Sequence, residues 1–423
     1  MKNNQLIEKA YEIAQEQYAE IGIDTRAVLQ ILTSVPISIH CWQGDDVGGF
    51  EKPDAALSGG GIQVTGNYPG KARTVAELRM DFEKVLSLIP GSNRLNLHAI
   101  YGEFGGKLVD RDQVEPAHFQ GWIDWAKNVG IKLDFNSTCF SHPKADDGYT
   151  LSHKDKSIRD FWIEHVQRCR EISAFFGREL NDVTIHDIWI PDGSKDELVD
   201  RFLHRALLKD SLDKIFQKEY NPSEMKDALE SKLFGIGSES FVVGSHDFYL
   251  GYAAANKKMV CLDNGHFHPT ESVADKVSSV LQFTDEVLLH LTRGVRWDSD
   301  HVVTLNDQVM AIMHEIVRAN ALNRVHLALD FFDASINRVG AWVVGTRAVQ
   351  KALLFALLEP VEKLREYENS GQYFERLAFL EELKTKPFGA VWDYYCLQQG
   401  VIPGEDYISE IQSYERDVTS KRN

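Results

Sequence analysis

A chain of 423 residues, 43% of them apolar, can bury a large core, either as two ordinary domains or as one big α/β barrel with extensions. Its formal net charge of −17 at pH 7 argues against nucleic acid or an anionic membrane as the main partner, since phosphates and lipid headgroups would not be attracted. No run approaches ~20 apolar residues and the polar start MKNNQLIEKAYEIAQEQ has no signal-peptide core. The cysteines (Cys41, Cys139, Cys169, Cys261, Cys396) are odd in number and form no CxxC pair, which predicts reduced, buried thiols in a cytoplasmic protein.

Two helical segments precede the first predicted strand, ISIHCW (37–42). The stretch after it, QGDDVGGFEKPDAALSGGGIQVTGNYPGKAR, is Gly-rich and too long for a turn, and suits a lid over an active-site face. A helical pattern (TVAELRMDFEKVLSLI) leads to a second strand, RLNLHAI (94–100), and HFQGWIDWAKNVG leads to a third, KLDFN (132–136). The helix SIRDFWIEHVQRCREISAFFG then precedes VTIHDIWI (183–190). The next gap is the widest. It holds a long helix, DELVDRFLHRALLKDSLDKIFQKEY, followed by KDALESKLFGIG. Propensity alone makes KDALESK helical, but the rhythm of the chain asks for a strand there. KMVCLD (258–263), EVLLHL (286–291) and RVHLALDFF (324–332) complete eight βα repeats. That spacing predicts an α/β fold, a (β/α)8 TIM barrel, with its active site at the C-terminal ends of the strands. From about Pro360 the chain is helical and charged. The expected division is therefore a barrel domain with N-terminal helices over 1–360 and a helical extension over 361–423, either a solvated appendage or a subunit contact.

Chemistry-bearing residues gather where the apolar runs give out. Asp263, His266, His290, Asp298 and Asp300 all sit at predicted strand ends between Met259 and His301. Converging charges are costly to desolvate unless an opposite charge sits among them, and a divalent metal is the natural occupant. Asp298 and Asp300 form a DxD pair whose carboxylates share a side in extended backbone. Glu230 and Lys232 alternate in ESK, so both can face the barrel mouth if the strand exists. Asp330 ends the eighth strand, with Asp333 as competitor. With Glu230 and Asp330 the candidate ligands number more than one ion ordinarily takes, which makes two metals plausible. Carboxylates and imidazoles without thiolate suit Mn²⁺, Mg²⁺ or Co²⁺ better than structural zinc. Trp42, Trp189, Trp297 and Phe331 are either core or platforms for a sugar face. His98 is either a core histidine or a partner for a sugar hydroxyl or an opening ring. A metal-dependent epimerase, a phosphoester hydrolase and a sugar-binding module are the rival readings. The first two share the metal barrel; the shortage of basic residues at the mouth disfavours phosphate, and the density of ligands disfavours mere binding.

Taken in order, ISIHCWQGDDVGGFE, TGNYPGKAR, RLNLHAIY, SKLFGIG, LDNGHFHPTE, VRWDSDHVV and LDFFDASINR resemble the bacterial L-rhamnose isomerase family over nearly the whole chain. The resemblance implies a (β/α)8 barrel, divalent metal (typically Mn²⁺), a cytoplasmic homotetramer, and interconversion of L-rhamnose with L-rhamnulose. It implies that His266, Asp298 and Asp300 bind a catalytic metal. Glu230, Asp263, His290 and Asp330 would form a second site that also holds substrate hydroxyls. Lys232 would contact substrate and Asp300 would move a proton in a metal-mediated 1,2-hydride shift, with His98 and Trp189 as further substrate contacts.

Overall fold

A computed structural model describes residues 4–51, 66–232, 240–295 and 299–422. Among the described residues the strands are β1 (Ile37–His40), β2 (Asn93–His98), β3 (Lys132–Thr138), β4 (Thr184–Trp189), β5 (Gly193–Ser194), β6 (Met225–Glu230), β7 (Phe241–Val242), β8 (Met259–Asp263), β9 (Val287–Leu291) and β10 (Val325–Leu329). All but β5 and β7 close into one barrel in the order β1-β10-β9-β8-β6-β4-β3-β2, with every pairing parallel. β5 and β7 form a short antiparallel ribbon. Helices α1 (Asn4–Ala19) and α2 (Thr25–Ser34) precede the barrel. Each barrel strand is then followed by one helix: α3 (Val75–Leu86), α4 (Gln120–Val129), α5 (Lys156–Leu180), α6 (Arg201–Ile215), α7 (His246–Asn256), α8 (Val273–Val280), α9 (Asp307–Arg318) and α10 (Arg338–Leu357). The chain ends with α11 (Val361–Asn369), α12 (Tyr373–Leu383), α13 (Phe388–Gln398) and α14 (Tyr407–Asp417). The (β/α)8 expectation holds.

The period-2 pattern of the strands explains the closure. Ile37, Ile39, Leu95, Leu97, Leu133, Leu229, Leu262 and Leu289 belong to the large core between sheet and helices. The opposite set (Ile185, Ala228, Met259, Cys261, Leu288 and Ala328) forms a separate apolar cluster inside the barrel. Polar caps start the helices: Thr74, Asp155, Asp200, Ser245, Asn306 and Asn337 each accept a backbone N–H in the first turn. Asp200 begins α6 later than the sequence pattern suggests, so DELV lies outside the helix. All five cysteines are buried, and no disulfide joins any of them.

KDALE is indeed strand, within β6, against its helix propensity. Pairing with β4 and β8 satisfies its backbone, and that outweighs a preference of a few tenths of a kcal/mol per residue. Alternation sends Glu230 toward the interior and Asp227 outward. There Asp227 takes a bidentate pair from Arg170 at 2.9 and 3.0 Å, with His186 and Lys258 each at 3.1 Å. Elsewhere most strands are shorter than expected, while β3 runs on to Thr138. Residues Cys41–Gln43 turn as a 3-10 helix, and β10 stops at Leu329, which leaves Asp330 free to turn into the mouth.

The long connection after β1 is tied down at both feet. Arg338, at the start of α10, forks onto both carboxylate oxygens of Asp46 at 2.8 Å, and its other arm reaches the carbonyls of Tyr68 and Pro69. The C-terminal helices fold back on the barrel: Tyr394 of α13 stacks on Tyr11 of α1 at 3.7 Å, and Arg422 pairs both oxygens of Asp81 in α3. No single helix among the described residues is long and apolar enough to cross a membrane.

Burial by itself would raise the pKa of Asp227, but His186, Arg170 and Lys258 hold it well below the ordinary carboxylate value. A depressed folded pKa stabilises the protein above the unfolded value of about 4 and is lost as pH falls below it. Asp227→Asn strands the Arg170 charge, and the expected cost is about 3–5 kcal/mol at neutral pH. Urea unfolding at pH 7 checks this, and the variant should also lose part of the wild-type decline in stability below pH about 4.

Candidate metal centre

The strand ends deliver their side chains to one place. Glu230 closes β6, Asp263 closes β8, His290 lies in β9 opposite Asp263, and Asp330 follows β10. One ligand atom from each of these four lies within 4.8 Å of the others. His290 Nδ1 is 3.2 Å from Glu230 Oε1 and 3.3 Å from Asp330 Oδ2. His266 Nδ1 is 3.4 Å from the same Glu230 oxygen, so the residue on the loop after β8 joins the group. Glu230, Asp263 and His290 are buried, and Asp330 partly so.

Local chemistry fixes each piece. In DNGH the Gly265 N–H donates to Asp263 Oδ1 at 2.6 Å and the His266 N–H to the Asp263 carbonyl at 3.2 Å, which folds the turn back over its strand. Asn264 clamps that turn to the end of β9: its amide donates to the Thr292 carbonyl at 2.9 Å and its oxygen accepts the Thr292 N–H at 2.7 Å. Asp330 is held by the Trp42 indole N–H, 3.0 Å from Oδ1. Asp333 turns instead to its own loop, capping Ser335, so Asp330 is the one that enters the cluster. Asp300 sits on the loop after β9 with φ +47°, a left-handed conformation that costs a non-glycine residue free energy and recurs at functional sites. Its carbonyl accepts the Phe332 N–H at 3.3 Å, which ties that loop to the segment after Asp330. Asp298 and Trp297 lie outside the described residues.

The electrostatics of the cluster ask for positive charge. Burial opposes a charge on His290, yet the Glu230 and Asp330 carboxylates beside it carry its pKa well above the ordinary imidazole value. Burial likewise opposes the charge on Asp330, but His290 outweighs it and holds the carboxyl down to about 2. Cys261 is within reach of Glu230 and His290. Burial pushes its thiol far up, so it stays protonated and the hard oxygen and imidazole donors dominate. Asp187, on β4, was not among the sequence candidates. It is buried beside Glu230, neither of its oxygens has a hydrogen-bond partner, and burial and Glu230 raise its pKa strongly. His290 Nε2 is also buried without a hydrogen-bond partner. Such orphaned groups are rare unless a proton, water or ion completes them. The donor set fits a divalent cation of the Mn²⁺ or Mg²⁺ type.

The remaining candidates, Phe331 apart, sit at or just past strand ends. Lys232, just past β6, is buried and donates from Nζ to the Pro191 carbonyl at 3.1 Å. His98 ends β2 with Nδ1 3.2 Å from Thr138 Oγ1, and burial drives its pKa to about 3, so its ring is neutral. Trp189 ends β4 opposite Glu230 in the register, half-buried and 6.0 Å from Phe140. Phe331 is core: it is fully buried against His40 and closes on Gly345 of α10, where a Cβ would meet its ring at 2.6 Å.

The family whose sequence profile matches the chain is L-rhamnose isomerase (RhaA), over residues 5–422. The chain belongs to the L-rhamnose isomerase family. Similar proteins include the L-rhamnose isomerase of Bacteroides thetaiotaomicron, 60% identical over 422 residues and 100% of both chains. That of Rhodopirellula baltica is 57% identical, covering 99% of this chain and 97% of its own. Among solved structures, D-allulose 3-epimerase from Methylomonas sp. covers 75% of this chain and 97% of its own, at 10% identity and a TM-score of 0.48.

Within this family member the Asn264 clamp is the piece whose role is open to a direct measurement. Replacing outer partners of ligands typically lowers metal affinity or activity about 10–100-fold. Asn264→Leu should therefore bind Mn²⁺ more weakly by about that factor while the barrel still folds. Calorimetric titration of wild type and variant, with circular dichroism on both, checks this.

Proposed function

We propose that this protein interconverts L-rhamnose and L-rhamnulose at the mouth of the barrel. The observation that carries the reading is end-to-end kinship with L-rhamnose isomerases at 60% and 57% identity. The convergence of Glu230, Asp263, His290 and Asp330 supports it, because an aldose–ketose exchange needs charge stabilisation on two neighbouring sugar oxygens.

In this reading Glu230, Asp263, His290 and Asp330 hold one divalent cation. His266, Asp298 and Asp300 hold another, Asp298 and Asp300 by family resemblance alone. Mn²⁺ is the proposed ion, with Co²⁺ and Mg²⁺ as alternatives. When bound, the cations supply Lewis acidity toward the sugar oxygens. The chain does the rest. Lys232, its stem fixed by the Pro191 carbonyl, donates to a substrate oxygen. The C2 hydrogen passes to C1 with its electron pair, so no base is required at carbon. Asp300 takes the proton from O2 and returns it to O1, which balances the exchange. Neutral His98 hydrogen-bonds a hydroxyl, and Trp189 offers its ring to the apolar face of the sugar. We further propose a cytoplasmic homotetramer with no nucleic-acid or membrane partner. The split at residue 360 is proposed on the same footing, with exposed Tyr373, Phe374 and Leu377 on α12 as a subunit contact.

EDTA should abolish ketose formation from L-rhamnose and Mn²⁺ should restore it. L-rhamnose deuterated at C2 should keep its label at C1 of the ketose; complete washout into solvent supports an enediol route instead. Asp300→Asn should retain the fold and lose about 10²–10⁴-fold in kcat, the usual worth of a positioned acid–base group; near-normal turnover would remove Asp300 from that role.

A further inference from the structure

The two oxygens of Asp330 are divided between different partners. Oδ1 accepts the Trp42 indole N–H at 3.0 Å, while Oδ2 lies 3.3 Å from His290 Nδ1 in the acid–imidazole cluster. Trp42 is 3% exposed and cannot drift away from this bond. Its ring is wedged between His98 at 4.6 Å and His40 at 5.2 Å. The adjoining residue locks the two loops together: Gln43 Nε2 donates to the Asp333 carbonyl at 2.9 Å, and Gln43 Oε1 accepts the Asp333 N–H at 2.8 Å. Below, the Trp342 indole holds the His40 carbonyl at 2.8 Å. The segment after β1 and the segment after β10 thus move as one piece.

Building on the proposed metal centre, we infer that Trp42 is a positioning residue that sets how Asp330 can engage a cation. With one lone pair of Oδ1 committed to the indole and the carboxylate plane held by that bond, Asp330 presents Oδ2 to the cluster in preference to both oxygens. Single-oxygen carboxylates suit small octahedral ions, whereas Ca²⁺ readily takes two oxygens of one carboxylate and a larger ligand number. Trp42 therefore biases the site toward Mn²⁺ or Mg²⁺ and against Ca²⁺, without touching the ion. An indole N–H is required for this, and a hydrophobic ring of similar placement does not replace it.

The test is calorimetric titration of EDTA-stripped wild type and Trp42→Phe with Mn²⁺ and, separately, Ca²⁺. The expected result is a Kd for Mn²⁺ raised about tenfold in the variant, with Ca²⁺ binding unchanged or tighter. Mn²⁺ binding unchanged within about twofold overturns the inference, as does an equal loss for both ions accompanied by a lower Tm of the stripped protein, which marks a packing role alone. A wild-type chain that binds no Mn²⁺ overturns the metal centre itself, a different failure. Should the variant not fold, a crystal structure of the Mn²⁺-loaded wild type decides: Oδ2 alone on the ion with the indole still on Oδ1 supports the inference, and both oxygens on the ion sink it.

Discussion

Acids gathered at the mouth of a closed sheet repel one another and are starved of water, and that tension organises this protein. Glu230, Asp263 and Asp330 come from three different strands and meet His290 within 4.8 Å. The pull is strong enough to favour a charge on an imidazole that is fully buried, which desolvation would otherwise forbid. Every nearby device limits how these groups can relax. Asn264 pins the turn after β8 to β9, the Asp300 carbonyl is bonded to the segment after Asp330, and Trp42 holds Asp330 itself. A scaffold of fixed donors lets a cation bind without first rearranging its ligands, the condition under which electrostatic stabilisation is most effective.

The barrel interior is divided to serve that mouth. Below the site Ile185, Ala228, Met259, Cys261, Leu288 and Ala328 pack as an apolar plug. Beside and beneath it the filling is polar. At the base Arg94 forks onto Asp134 at 2.8 Å, Asp134 also accepts from Ser38 at 2.6 Å, and a second arm of Arg94 reaches Asp182 at 2.7 Å. Between base and mouth lie Asn96, Asn136 and Asp187, each with a buried oxygen that lacks a hydrogen-bond partner. Ordinary barrels fill this space with branched hydrocarbon. Here polar side chains carried on β1, β2, β3 and β4 occupy part of it instead.

Much of this was legible in the sequence. Strand rhythm located the eighth element in KDALE, whose local preference pointed the other way, and it put Glu230 where the site needs an acid. Asp263, His266 and His290 were found because they stand where apolar runs stop. The choice between Asp330 and Asp333 was not legible, because it depends on the residue at which β10 ends. Asp187 escaped notice inside VTIHDIWI, where two adjacent polar residues look alike. Parity separates them: His186 faces out to Asp227, while Asp187 shares a face with Trp189 and the mouth. Trp42 was legible as an aromatic near the site, but not as a donor. That role depends on a contact across 288 positions of chain, and no local pattern encodes it.

One guanidinium has a bearing on how this molecule can vary. Arg338 grips Asp46 at the departing end of the β1 connection and the Tyr68 and Pro69 carbonyls at its returning end. One side chain at a helix start thus fastens the departing and the returning end of the connection together, so a single substitution at Arg338 would unfasten both at once.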